Sequence, residues 1–181
     1  MVRRRPVALA PEQEWVAPAP AGAAAAVAER RLRAAIAEQQ RQLAAASRAG
    51  RPRLLRDLAD AHAELANKAF RRKVASEIRA ANRKQPRRMA ADQALAAQAD
   101  RDMRRARDQA IAYGEQLLRH HPRWCAGPTG ALPNRRCADE LLYFLSYQHG
   151  PQGSHAAALR LSRELIARFP RPDTRPTLIS R

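Results

Sequence analysis

Aromatic side chains are scarce in this chain. They make up 4% of its 181 residues, as two Trp, three Tyr and three Phe. The hydrophobic share is nonetheless 45%, and much of it is alanine, which favours helix but buries little surface per residue. Segments in which β-branched or aromatic residues alternate with polar ones, the signature of strands, are nearly absent. The composition therefore predicts an all-α protein with a thin core.

The sequence also lacks the segments that direct a chain into a membrane. No apolar run reaches the length of a transmembrane helix. The basic start Met-Val-Arg-Arg-Arg-Pro is not followed by the apolar core of a signal peptide, because Pro6, Pro11, Glu12 and Glu14 interrupt it. We therefore expect a cytoplasmic protein without a transmembrane segment, or a periplasmic one if the N-terminus is misassigned or truncated.

Motifs of common catalytic and nucleotide-binding sites are missing as well. The chain contains no GxSxG, GxxxxGK[ST], GxGxxG or HExxH. His120, His121, Cys125 and Cys137 are residue types that bind zinc, but adjacent histidines point in different directions and no CxxC pair exists. We expect a protein that is not an enzyme and that has no catalytic residues, no metal site and no cofactor.

Acidic residues are outnumbered two to one. Lys and Arg total 34 against 17 Asp and Glu, which leaves a net charge of +17. Such a balance suits contact with nucleic acid, an anionic membrane or an acidic protein, but solvated helix faces of an Arg-rich chain also explain it, and we favour this second interpretation. The densest cationic stretch surrounds Pro86, and its candidate anion contacts are Arg71, Arg72, Lys73, Arg79, Arg83, Lys84, Arg87 and Arg88.

Prolines and glycines divide the chain into five parts. Residues 1–22, with four prolines, are expected to form a disordered tail. Residues 23–119 are expected to form long, basic, Ala- and Arg-rich antiparallel helices with coiled-coil-like surfaces and a break at Pro86. Residues 120–137 are expected to form a loop flanked by cysteines. Residues 138–172 are expected to form a helical hairpin, and residues 173–181 a second tail.

The second long helix carries a regular apolar pattern. Its buried face is expected to consist of residues that recur at three- to five-residue steps: Leu54, Leu58, Ala61, Leu65, Phe70, Val74 and Ile78. The middle of the third helix, residues 90–107, consists mostly of Ala, Gln, Asp and Arg. We expect it to contribute few core residues.

The segment 139–170 reads as two short amphipathic helices around one tight turn. Leu142 and Leu145 are the bulky residues of the first helix, and Ser146 and Ala158 are the small residues where the two helices would cross. Gly153 lies in the turn, and Pro170 ends the unit. Gly153 is placed where a positive φ is favourable for glycine. His149 and His155 bracket the turn and are expected to be surface or turn residues.

This pattern resembles a tetratricopeptide repeat, with Ser162 where the repeat usually has an aromatic residue. The stretch from Ala110 to Pro122 resembles the second helix of a preceding, degenerate unit, since QLLRHHP parallels ELIARFP and Gly114 replaces an aromatic. The resemblance implies a fragment of an α-solenoid. Repeats bury their faces against neighbours, so we expect the C-terminal side of the hairpin to be uncovered.

A wider resemblance covers residues 54–172. The order of segments looks like the start of tetratricopeptide proteins common in myxobacteria and relatives, which include components of envelope and gliding machinery. Those proteins usually have a very short loop where this chain has the stretch from Cys125 to Cys137. A disulfide between these two cysteines would hold the loop closed in an oxidising compartment, and two free thiols are the alternative.

These observations favour a non-catalytic scaffold or adaptor. The resemblance implies that it binds another protein, or a second copy of itself, in the groove beside the terminal hairpin. The candidate packing or groove residues are Leu142, Tyr143, Leu145 and Tyr147. The alternative is a basic helical protein associated with nucleic acid. Its phosphate contacts would be strongly salt-dependent, and the aromatic platforms of single-strand binding are missing from the basic stretch.

Overall fold

A computed structural model describes residues 21–124 and 137–169, and these residues are all-helical, with no strand among them. The fold class is thus confirmed at the level of helix content. The predicted tails and the loop from Cys125 onward fall largely outside the described residues. The helices are α1 (Ala21–Ala45), α2 (Arg51–Ala81), α3 (Pro86–His120), α4 (Ala138–His149) and α5 (His155–Arg168), with one 3₁₀ turn at Gly150–Gln152.

Helices begin and end at the residues that the local chemistry favours. Gly50 precedes α2, and Pro52 lies in its first turn. Pro86 opens α3, where its fixed φ suits the helix and its missing N–H costs nothing. Gly153 separates α4 from α5 with a φ of 75°, which confirms the positive angle predicted for it.

The antiparallel pair of α2 and α3 forms the main body. Its direction follows from the ion pairs Arg79–Asp92, Lys73–Asp100 and Arg72–Asp102, whose sequence separation grows away from the turn. The two helices approach closely because their contact face is rich in alanine. The buried residues of this first cluster, including one from α1, are Ile36, Leu58, Leu65, Ala66, Ala69, Met103 and Ala106.

The predicted buried face of α2 is wrong in its C-terminal half. Phe70 is 50% exposed and Ile78 is 57% exposed, while Ala69, Ser76 and Ala80 are buried instead. Small residues face α3 here because they allow the two backbones to lie close together. The alanines at the middle of α3 have the same role, so the expectation of few core residues there is also wrong: Ala96, Ala99, Met103 and Ala106 are all buried.

Helix α1 lies along α2 and covers part of the first cluster. Ile36 is buried, and Leu32 and Leu43 pack against the cluster edges. Two polar contacts hold α1 in place: Gln40 Nε2 donates to Tyr113 Oη over 3.0 Å, and Glu29 lies 3.3 Å from Arg72 Nε. These contacts tie α1 to both long helices.

His62 is an unusual member of this body. It is 7% exposed and stacks on Tyr113 with ring centroids 5.5 Å apart. Neither ring nitrogen has a hydrogen-bond partner among the described residues. Burial lowers the pKa of His62, because the charged imidazolium cannot be solvated there. The folded state therefore favours the neutral form of His62.

Acid is expected to destabilise the protein through His62. Its folded-state pKa lies below the unfolded value, so the unfolded state binds more protons and the free energy of unfolding falls as the pH drops below about 6.5. Each unit of lowered pKa is worth about 1.4 kcal/mol, or about 3–5 °C in Tm for a chain of this size. Circular dichroism melts near pH 7 and pH 5 measure the change.

A matched pair of variants isolates the effect. His62→Leu should lose the part of the pH dependence between these two values, whereas His155→Leu should retain it, because His155 is exposed. An unchanged pH dependence in His62→Leu would contradict a buried neutral imidazole.

The terminal hairpin α4–α5 packs on the C-terminal end of α3 and on α2. The second cluster joins all four helices through Leu55, Ile111, Leu117, Leu141, Leu142, Leu145 and Leu161. Gly114 lies directly against α4, since an added Cβ there would lie 2.8 Å from Leu145 Cδ2. His149 is 9% exposed, with Nε2 3.4 Å from Glu115 Oε1, so the surface interpretation is wrong for this residue. It ends α4 next to the 3₁₀ turn, which agrees with the turn interpretation, and His155 is exposed.

Candidate interaction surfaces

The four hairpin candidates from the sequence separate into two kinds. Leu142 and Leu145 are completely buried and belong to the core. Tyr143 and Tyr147 are 51% and 64% exposed, and their spacing of four residues places them on one side of α4. The core pair therefore attaches the hairpin to the body, and only the tyrosines are accessible to a partner.

Helix α5 adds two apolar residues that the sequence analysis missed. Leu159 and Ile166 are 56% and 69% exposed, and they lie seven residues apart on the side opposite buried Leu161. The sequence spacing could have identified them, since it places Leu159 and Ile166 outside the apolar stripe formed by Leu161 and Leu165. We call Tyr143, Tyr147, Leu159 and Ile166 the hairpin outer residues.

The cations of the basic stretch fall into groups according to whether a carboxylate pairs with them. Asp102 pairs with Arg72 at 3.0 Å, and Asp100 pairs with Lys73 at 2.8 Å. The hydrogen bond from Lys73 is the main reason that the pKa of Asp100 is lowered. These two cations hold α2 against α3 and are structural.

One carboxylate serves two arginines nearer the turn. Arg79 Nε donates to Asp92 Oδ1 over 3.0 Å, and Arg83 Nε donates to Asp92 Oδ2 over 3.2 Å. The hydrogen bond from Arg79 is the main cause of the lowered pKa of Asp92. Both arginines remain more than 40% exposed, so they retain donors for a further anion.

Lys84, Arg87 and Arg88 are different. All three are exposed, and within residues 21–124 and 137–169 none of their side chains forms a hydrogen bond or ion pair. Arg71 is also exposed and unpaired in those ranges, but it lies about 16 Å back along α2 from the turn. We call Arg79, Arg83, Lys84, Arg87 and Arg88 the cationic tip.

Among the described residues, the remaining features do not form a further candidate site. An open cleft of about 560 Å³ between α2 and α3 is lined by four alanines, Met89 and polar residues, among which Lys73 and Asp100 are already paired with each other. Cys137 is disulfide-bonded, and the other candidate cysteine, Cys125, lies outside the described residues. In the described ranges, no group of three or more His, Cys, Asp or Glu side chains could hold a metal ion.

Comparison with known proteins adds no assignment. The chain matches no family model, no curated protein and no solved structure. None of the helices in the described ranges is long and apolar enough to cross a membrane.

Proposed function

We propose that this protein is a non-catalytic interaction scaffold that binds a protein partner through the outer side of its terminal hairpin. The observation that carries the proposal is the exposure of all four hairpin outer residues on a hairpin whose other large apolar side chains pack inward. Aromatic and aliphatic side chains of this size dominate the energy of protein interfaces when they become buried.

The hairpin is well suited to present such residues. Leu142, Leu145 and Leu161 attach it to α3, so its outward residues are held on rigid helices rather than on a loop. A preorganised surface loses little conformational entropy on binding. Burying one Leu or Ile side chain contributes about 1.5–3 kcal/mol, so Leu159 and Ile166 together can contribute about 3–6 kcal/mol to the free energy of binding.

The nature of the partner follows from the same residues. A partner helix or peptide with an apolar face would bury the α4 and α5 stripes, and a second copy of this chain would present the same surface. The resemblance of residues 139–170 to a tetratricopeptide unit makes an envelope or motility assembly of a bacterium the first setting to test.

The test uses a double variant of α5. Leu159→Glu with Ile166→Glu places two charges on the proposed surface, and we expect it to weaken binding at least about 100-fold, because about 3 kcal/mol of apolar burial is lost. The readouts are affinity capture from the native host, compared quantitatively between wild type and variant, and sedimentation velocity for self-association.

A matched control makes the result specific. Ile78→Glu with Leu95→Glu changes two apolar residues that are 57% and 51% exposed on the long helices. This control variant should bind the partner as tightly as wild type does. Equal loss of the partner in both double variants would contradict a role for the hairpin.

A further inference from the structure

The turn between α2 and α3 concentrates charge of one sign. From Arg79 to Asp92 the chain carries five cations and a single carboxylate, and that carboxylate is already shared by Arg79 and Arg83. We infer that the cationic tip binds the phosphate backbone of a nucleic-acid duplex without reading its sequence. This inference is independent of the proposed partner surface on α4 and α5.

Three of the five charges of the tip do not serve the fold. Arg87 and Arg88 lie in the first turn of α3, which contains no acidic residue. Cations at the N-terminus of a helix oppose its dipole and destabilise it by a few tenths of a kcal/mol. Lys84, Arg87 and Arg88 also have no ion-pair partner in the described part of the chain. An external anion would relieve this repulsion.

Phosphate suits the donors that the tip offers. Arginine presents a planar fork that binds two phosphate oxygens, and four of the five cations are arginines. Contacts of this kind position a protein on nucleic acid without specifying its bases. No aromatic residue or histidine occurs between Arg71 and Ala112, so the stacking on bases that single-stranded ligands require is absent from this region.

Two other polyanions fit less well. A membrane-binding surface needs several apolar side chains that enter the bilayer beside the cations, and only two large exposed apolar residues, Ile78 at 57% and Met89 at 37%, neighbour the tip cations in sequence. An acidic protein partner would need apolar or aromatic anchors at the centre of the contact, and the same scarcity disfavours it. A duplex backbone requires only the cations.

The experiment measures binding of a labelled duplex of about 20 base pairs by fluorescence anisotropy, over NaCl concentrations from about 50 to 200 mM. The tip variant is Lys84→Ala/Arg87→Ala/Arg88→Ala. Each lost phosphate contact reduces the slope of log K against log salt by about 0.9, so we expect the slope to fall by about 2.7. Affinity at the lowest salt should fall at least about tenfold, and the circular dichroism spectrum should be unchanged.

The control removes the same charge elsewhere. Arg101→Ala/Arg105→Ala/Arg119→Ala takes three exposed arginines from α3 that form no ion pair within the described residues. It should leave the slope within about one unit of wild type. Equal losses in both variants would show a diffuse charge effect and overturn the assignment to the tip.

Other results would also overturn the inference, and they are of two kinds. One is duplex binding that the tip variant leaves unchanged, or no duplex binding at low salt. The other is tighter, tip-dependent binding to phosphatidylglycerol-containing vesicles than to the duplex, which would assign the tip to a membrane surface. Each of these results leaves the α5 double variant and its partner unaffected, so failure here is distinct from failure of the proposed function.

Discussion

Replacing Leu145 by alanine is expected to lower the free energy of unfolding of the terminal hairpin by about 2–5 kcal/mol. Leu145 has no exposed surface and lies in the second cluster, against the backbone of α3 at Gly114. Removing its isopropyl group leaves a cavity that the helices cannot close without shifting α4. Since the hairpin depends on this cluster for its attachment, the loss falls on α4 and α5 first.

Hydrogen exchange measured peptide by peptide tests this prediction. Protection in α4 and α5 should decrease in Leu145→Ala while the contact between α2 and α3 stays protected, because Leu58 and Leu65 belong to the other cluster. Tyr147→Ala is the control on the same helix, and its effect should stay within about 0.5 kcal/mol because Tyr147 is exposed. Uniform loss of protection throughout would contradict a separately attached hairpin.

The second large effect on stability is expected when a larger side chain is introduced at Gly114. A Cβ there would lie 2.8 Å from Leu145 Cδ2 and 3.4 Å from Leu141 Cδ1, and valine adds two further methyl groups. Overpacking of a filled site costs about 1–3 kcal/mol, which exceeds the few tenths of a kcal/mol that valine gains over glycine in a helix. Gly114→Val should therefore destabilise the contact of α3 with α4, as measured by urea unfolding.

Two further variants test whether the cause is the contact itself. Ala112→Val on the exposed side of α3 should cost only about 0.5 kcal/mol. The double variant Gly114→Val/Leu145→Ala should be more stable than the sum of the single effects by about 0.5–3 kcal/mol, since the valine methyls occupy the space that the leucine left. Strict additivity would mean that the two residues do not compete for one volume.

The sequence predicted helix content and helix breaks well, for a local physical reason. Pro86 and Gly153 act through their own backbone dihedral angles, so their effect does not depend on the rest of the fold. The buried face of α2 depends on what packs against it. Phe70 and Ile78 carry the stronger hydrophobic signal, but the close approach of α3 selects Ala69 and Ala80 instead.

The candidate surfaces were less predictable than the helices. Leu142 and Tyr143 are neighbours with similar apolar character, and only the position of α3 decides that one is core and the other is surface. Among the basic residues, Lys73 and Lys84 look alike in the sequence. Asp100 lies 27 residues away in the sequence from Lys73 and neutralises it, whereas Lys84 has no such partner in the described ranges.

The central claim is that the outer side of the terminal hairpin binds a protein, and site-specific photo-crosslinking in the native host tests it most directly. A photoreactive phenylalanine in place of Tyr147, which is 64% exposed, reports on contacts of α4. The same photoreactive residue in place of Phe70, which is 50% exposed on α2, is the control. We predict a discrete protein adduct from position 147 and none from position 70. Adducts from position 70 alone, or from neither position, would contradict the claim.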